Sequence, residues 1–321
     1  MEPWFDIAAG SPGGALLRSA WQPVYRDVDL APGQLRRLVV LGEELALFRT
    51  SSGQAWLVDG RCPHRGTRLD LGRLEEERLV CAHHGWCWSG DGRPRAAHAG
   101  QTARGLRSLP LREAHGLLFA WFGQGEPPPL ELPPGPWTPL APNLWPCSFF
   151  RRLENTLDLS HVPHSHRLSV GGGMRADLDG EPRRVEGGLE VHEPGLPVVS
   201  FQLPNRLRFA SPHAQGWVDH LVWRVPQDVD SCLSFALVQV DEAVEAKARP
   251  FRPSPVEEAA ETVLRGERRL EDLASHPSLT EIEDYVVLVG QGTLASQPRE
   301  SLGPADGPVR ALREIWREAC S

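Results

Sequence analysis

The chain has 321 residues, 40% of them hydrophobic, which is enough for two domains with separate cores, and its net charge of −8 argues against a nucleic-acid partner. No apolar run approaches the roughly 20 residues of a membrane span, and MEPWFDIAAGSPGG has no basic stretch followed by an apolar core, so a cytoplasmic protein is expected. In a reducing compartment the six cysteines are thiols or metal ligands rather than disulfide partners.

After a Gly- and Pro-containing N-terminus, the first ordered signal is Ala20 to Val24. Short apolar segments follow at Arg37–Leu41, Leu45–Phe48 and Ala55–Val58, broken by Gly42-Glu43-Glu44 and Ser51-Ser52-Gly53, the spacing of a β-meander. Then come two pairs of potential ligands, Cys62-Pro63-His64 and Cys81-Ala82-His83-His84, separated by what reads as the two arms of a hairpin. Each pair offers one thiolate and one imidazole. Two thiolates on one iron and two neutral imidazoles on the other suit a [2Fe–2S] cluster of raised potential. Zinc also accepts Cys₂His₂, but usually in the order Cys pair then His pair, whereas here the types alternate. Gly66 and Gly85 permit tight turns whose amides can face cluster sulfurs.

The run CPHRG, then CxxHGW, then the turn Ser89-Gly90-Asp91-Gly92 resembles the Rieske domain of the Rieske non-haem iron oxygenases. Carried onto this sequence, the resemblance makes Cys62, His64, Cys81 and His84 the cluster ligands. His84 is preferred over His83 because it directly precedes Gly85-Trp86. Gly116 to Phe122 reads as a closing strand, and the Pro-rich stretch from Gly125 to Pro142 as a stiff connector. The expected layout is a Rieske domain over residues 1–125, a connector over 126–142 and a catalytic domain over 143–321.

The second half opens with FFRRLENTLDLSHVPHSH, residues 149–166. Asn155, Asp158 and His161 recur every third position, so a helix lines them along one slowly rotating face, and Pro163 is expected to break that helix and let His166 turn back toward His161. Two imidazoles and a carboxylate leave three positions open on Fe(II). Alone, His161, His164 and His166 could also be a surface histidine cluster, since HxxxxH is a weak pattern. The pattern N-x-x-D-x-x-H-x-x-x-x-H resembles the catalytic motif of the same oxygenases. That resemblance implies His161 and His166 as iron ligands, Asp158 as the bridge receiving electrons from a Rieske histidine of a neighbouring subunit, and Asn155 as a residue close to the iron.

Leu189–His192, Val198–Leu203, Trp217–Val225 and Leu233–Val238 read as strands of an antiparallel sheet facing a cavity, with His192, His213 and His220 as candidate lining or structural residues. A helix capped by Ser254-Pro255-Val256-Glu257 is expected to run to about Ala274, and an amphipathic helix to close the chain from Val309 to Cys320. The segment Thr280 to Gly292 resembles the family's second characteristic segment and makes Asp284 the third iron ligand, with Glu281 and Glu283 as competitors.

Together these resemblances imply an α+β protein, an all-β Rieske domain followed by a catalytic domain of helix-grip type, nearest to the branch of vanillate and dicamba O-demethylases and assembled as a homotrimer. The implied activity is that of a terminal mono-oxygenase component with a [2Fe–2S] cluster and Fe(II), hydroxylating or oxidatively demethylating a small aromatic substrate. No Gly-x-Gly-x-x-Gly loop or four-Cys ferredoxin run is present, so electrons are expected from a separate NAD(P)H-dependent reductase, with or without a ferredoxin. Two other readings are an electron carrier and a ligand-binding module without catalytic iron.

Overall fold

The computed structural model of the protein describes residues 5–95, 104–170, 175, 177–213, 216–239, 256–296 and 300–321. It contains two compact units, one formed by Leu17–Pro134 and the other by Met1–Leu16 with Gly135–Ser321. The first sixteen residues, expected in the first domain, thus group with the second unit, where Ile7 is buried and Phe5 sets its ring edge-on against Phe150. The short helix α1 (Pro12–Arg18) runs across the boundary.

The Leu17–Pro134 unit is built from three antiparallel sheets. Strand β1 (Gln22–Arg26) is followed by the expected meander, β2 (Leu35–Val40), β3 (Glu43–Arg49) and β4 (Ala55–Asp59). The ligand-bearing region follows as β5 (Arg73–Glu75), β6 (Arg78–Val80), β7 (Cys87–Ser89) and β8 (Pro94–Arg95), a four-stranded sheet in sequence order. The hairpin expected between the two ligand pairs is β5 and β6, turned at Glu76, whose φ is +53°. Gly90 is required for packing: a Cβ there would lie 2.1 Å from the Trp56 ring. Short β9 (Ser108–Leu109) extends the meander at β4, and β10 (Leu111–Ala114) and β11 (Leu117–Ala120) complete a sheet with β1.

The second unit is organised on one antiparallel sheet. Its strands are β12 (Trp137–Pro139), β13 (Asn143–Trp145), β14 (Glu181–Val185), β15 (Gly188–His192), β16 (Val199–Gln202), β17 (Arg206–His213), β18 (Gly216–Pro226) and β19 (Cys232–Gln239), running β12-β19-β18-β17-β16-β15-β14 with β13 also paired to β19. β12 and β13 correct two readings: the connector yields to strand at Trp137, and the sheet is wider than the four strands the sequence signals. Helix α2 (Phe149–Leu157) starts at Ser148, whose hydroxyl accepts the Phe150 N–H at 3.3 Å. Its Phe149, Phe150, Leu153 and Leu157 are buried, each contributing roughly 1.5–3 kcal/mol, and it packs on β16 and β18.

Helix α2 ends one turn earlier than expected. Asp158 leaves helical geometry at ψ 94° and its carboxylate caps the next turn, Leu159–His161, by accepting the Ser160 N–H at 2.9 Å. Pro163 then lies in the first turn of α3 (Val162–Ser165), where its missing N–H costs nothing, so it starts a helix rather than breaking one. Helix α4 (Val256–Leu264) stops well short of Ala274, Gly266 following with φ +72°; the expected cap residues Ser254 and Pro255 lie outside the described residues. In α5 (Leu279–Gly290), Leu279, Ile282, Tyr285 and Leu288 are buried, and Glu283 shares the buried side at four residues from Leu279. Helix α6 (Gly307–Ala319) lays Leu312, Ile315 and Trp316 inward as expected and packs on β14 and β15.

Candidate functional site

In the Leu17–Pro134 unit, two loops repeat one hydrogen-bond frame. The Gly66 N–H donates to the Cys62 carbonyl at 2.9 Å and the Cys62 N–H to the Thr67 carbonyl at 2.8 Å; Gly85 to Cys81 is 3.1 Å and Cys81 to Trp86 is 2.8 Å. Both glycines have positive φ, +76° and +69°, which lets each loop turn back on its own cysteine. The first loop is closed by a bridge between Arg61 and Arg68, the second by the pairing of Val80 with Cys87.

Both cysteines are buried in one core cluster with Phe48, Leu79 and Trp88, and neither is in a disulfide. The imidazoles lie outside that core. His64 is exposed and stacks on Trp86 with centroids 4.5 Å apart and planes 5° apart, while its centroid is 4.7 Å from that of His84. His83 stacks on the far partner, His84, at 3.8 Å and pairs its Nδ1 with the Thr67 hydroxyl at 3.2 Å. Burial, aided by the neighbouring Cys81 sulfur, pushes the Cys62 thiol up, so its thiolate is favoured only with a cation beside it. Desolvation and then His83 and His64 hold His84 below its ordinary value, which keeps a ligand nitrogen free. Two buried sulfurs and two outward imidazoles on matching loops fit a cluster with one iron of each kind.

The second unit brings His161, His166 and Asp284 together. The two Nε2 atoms are 3.3 Å apart, and Asp284 Oδ1 lies 3.3 Å from that of His166 and 3.7 Å from that of His161. Cis ligands on an octahedral ion with bonds near 2.1 Å are about 3 Å apart, so the three atoms fit one face of such an ion. Of the three acidic residues of α5, Asp284, the one singled out by the resemblance, is the one whose carboxylate lies beside both imidazoles. Glu283 instead sits fully buried behind His166, accepting from its Nδ1 at 3.3 Å, from the Ser169 hydroxyl at 2.5 Å and from the Leu168 N–H at 3.2 Å. Glu281 is partly buried at the start of the helix, its carboxyl pushed up by burial.

Each imidazole is oriented through its other nitrogen. His161 Nδ1 bonds the main-chain carbonyl of Asp158, and with Nδ1–H as donor its Nε2 lone pair faces the site. The Asp158 carboxylate, expected to bridge toward the iron site, makes no bond to His161: it accepts from the N–H and hydroxyl of Ser160, at 2.9 and 2.6 Å. Asn155 donates from Nδ2 to Asp284 Oδ1 at 3.0 Å. His164 is exposed and apart from the group. Burial lowers His161; burial also opposes protonation of His166, but Asp284 and Glu283 outweigh it and hold His166 above its ordinary value. Asp284 is held well below the carboxylate range, with burial opposing and His166 and Arg152 prevailing.

Arg152 was not anticipated. It lies one helical turn before Asn155 on the same face of α2, its Nη1 3.2 Å from Asp284 Oδ2 and its guanidinium carbon 3.7 Å over the Trp145 ring. Behind it Arg224 is also buried, donating to Ser234 and Thr156, and burial with repulsion from Arg152 lowers it to about 9. His192 bonds the Glu190 carboxylate at 2.9 Å, and His220 stacks on Phe209 and pairs with Ser211 at 2.7 Å, both satisfied within the sheet.

Residues 20–110 match the Rieske [2Fe-2S] domain. The chain is similar to the 5,5'-dehydrodivanillate O-demethylase oxygenase subunit of Sphingobium sp. (strain NBRC 103272 / SYK-6), 26% identical over 353 residues, covering 96% of this chain and 76% of that protein. It spans 42% and 53% of the lengths of two further curated relatives. Among solved structures, dicamba monooxygenase bound to dicamba has the same fold with a TM-score of 0.66 at 19% identity, covering 95% of this chain and 98% of that one. A carbazole 1,9a-dioxygenase oxygenase solved with its ferredoxin gives 0.65 at 21%, covering 98% and 92%.

Proposed function

We propose that the chain is a Rieske non-haem iron oxygenase, a terminal oxygenase component that hydroxylates or oxidatively demethylates a small aromatic substrate, a reading supported by its Rieske domain and its similarity to an O-demethylase oxygenase subunit. The observation that carries this reading is the convergence of His161, His166 and Asp284 on one point. When bound, the cluster supplies single electrons and Fe(II) supplies open positions at which O₂ is reduced.

The chain's own residues do the rest. Cys62 and Cys81 would hold one iron of the cluster and His64 and His84 the other, with Trp86 stacked on His64 to fix its ring. His161, His166 and Asp284 would hold the mononuclear iron. The Asp158 carbonyl and Glu283 each accept a hydrogen bond from an imidazole Nδ1–H, which fixes the tautomer and would aim both Nε2 atoms at the metal. Asn155 donates to Asp284, and Asp158 is assigned as the residue through which electrons enter from a Rieske histidine, as part of a homotrimer.

A separate NAD(P)H-dependent reductase, directly or through a ferredoxin, is the assigned electron source; the ferredoxin in the complex with the carbazole 1,9a-dioxygenase oxygenase supports this arrangement. The name of the similar O-demethylase favours a methoxylated aromatic. No described helix is long and apolar enough to cross a membrane.

The test is metal analysis followed by turnover. Purified protein should contain a third iron beyond the sulfide-bridged pair, and the chemically reduced protein should take up O₂ and release formaldehyde with methoxylated aromatics. A fully loaded cluster with no third iron site would leave an electron carrier and defeat the proposal.

A further inference from the structure

The two oxygens of Asp284 are held differently. Oδ1 faces the two imidazoles and accepts from Asn155, whereas Oδ2 is paired with Arg152 at 3.2 Å. Arg152 is itself buried, on α2, and its guanidinium carbon lies over Trp145, 3.7 Å from the ring centroid. Such a planar cation has a defined direction as well as a charge.

Resting on the iron-site reading above, we propose that Arg152 is a positioning residue: by engaging Oδ2 it makes Asp284 a one-oxygen ligand and keeps a further coordination position available to O₂ or substrate. A carboxylate free at both oxygens can bind a hard cation through one or both. Here turning Oδ2 toward the metal would strand a guanidinium without its carboxylate among Trp145, Arg224 and the buried thiols Cys147 and Cys232, where an unpaired charge is costly. Arg152 also places a positive charge beside the metal position and so opposes cation binding. The arrangement therefore gives up some metal affinity in exchange for an open site, which fixes the sign of its test.

The experiment uses the full chain with its cluster loaded and the mononuclear site filled anaerobically with Co(II), whose visible absorption weakens as coordination number rises. Arg152→Gln removes the charge and frees Oδ2. Its Co(II) affinity should rise about tenfold, the order expected for one charge removed near a partly buried divalent ion, while Co(II) absorption falls and the Rieske spectrum stays unchanged. Arg152→Lys keeps the charge but loses the planar fork, so its affinity should stay within about threefold of the parent while its absorption shifts in the same direction.

A residue that only scaffolds α2 predicts the opposite for Arg152→Gln, weaker Co(II) binding with an unaltered spectrum, and that result would overturn the proposal. If the Gln variant does not fold, the Lys spectrum decides: identity with the parent overturns the proposal and displacement supports it. The parent reading fails separately, and the proposal with it, if the unaltered protein binds no Co(II) or if Asp284→Ala binds it equally well.

Discussion

Replacing Glu283 by Gln tests the buried support behind the proposed iron site with little change of volume. The carboxylate accepts three hydrogen bonds, from His166 Nδ1, Ser169 and the Leu168 N–H, and is fully buried. An amide presents one oxygen and one NH₂ group, so at least one of the three donors meets another donor and loses its partner. Leaving one buried donor unsatisfied costs about 1–3 kcal/mol, and the bonds that remain are no longer charge-assisted. Loss of a carboxylate that orients a ligating imidazole weakens metal binding by about 10–100-fold, or roughly 1.4–2.7 kcal/mol. The assay is anaerobic Fe(II) titration, with the visible spectrum of the Rieske centre as internal reference because its loops belong to the other compact unit. Iron affinity within about twofold of the parent would refute the orienting role. Complete loss of iron in Glu283→Gln, together with its retention in Asp284→Asn, would instead make Glu283 the ligand.

Three further outcomes are expected. His83→Phe should retain the visible and EPR signature of the cluster and His84→Ala should lose it, the reverse result exchanging their roles. Asp158→Asn keeps an oxygen able to accept the Ser160 N–H, so both metal centres and substrate binding should survive while stopped-flow reoxidation of the reduced cluster slows sharply; near-normal turnover would remove Asp158 from the electron path. Burial pushes the Cys232 thiol up to about 12, so the folded chain keeps a proton that the unfolded chain releases from about pH 8.5 upward. Stability should therefore fall with rising pH between those values, and Cys232→Ala should show a shallower loss in denaturant melts across that window; equal slopes would count against the shift.

The Rieske half was legible because its strands alternate short apolar runs with turn residues and its ligands lie within a few positions of two glycines. In the second half the limits have physical causes. β12 and β14 form the two edges of the sheet and contain Pro139 and Pro182, which edge strands tolerate but which read in sequence as breaks. Helix α2 ends at Asp158 because a side chain, not a proline, caps the turn that follows, and both outcomes are compatible with the same letters. The candidate ligand types were readable from spacing and the resemblance named Asp284, but spacing alone does not tell which of two successive helix positions, Glu283 or Asp284, faces the imidazoles. Arg152 was hidden for a different reason: an arginine on a helix is ordinarily solvated, and only the Trp145 face and the Asp284 carboxylate make it an interior residue.

Glu283 and Asp284 grip both nitrogens of the His166 ring from one turn of α5, and Asn155 and Arg152 secure Asp284 from α2. The three donor atoms are therefore held by the protein independently of any ion. A preset N,N,O face discriminates poorly among first-row divalent metals, and the Irving–Williams series ranks Fe(II) below Co(II), Ni(II), Cu(II) and Zn(II) for such donors. If these three atoms hold the iron as proposed, its occupancy is decided by which metal is supplied while the site is filled. Under the proposed iron-site reading, protein produced in zinc-rich medium should therefore carry redox-silent zinc at His161, His166 and Asp284 while the Rieske colour is retained.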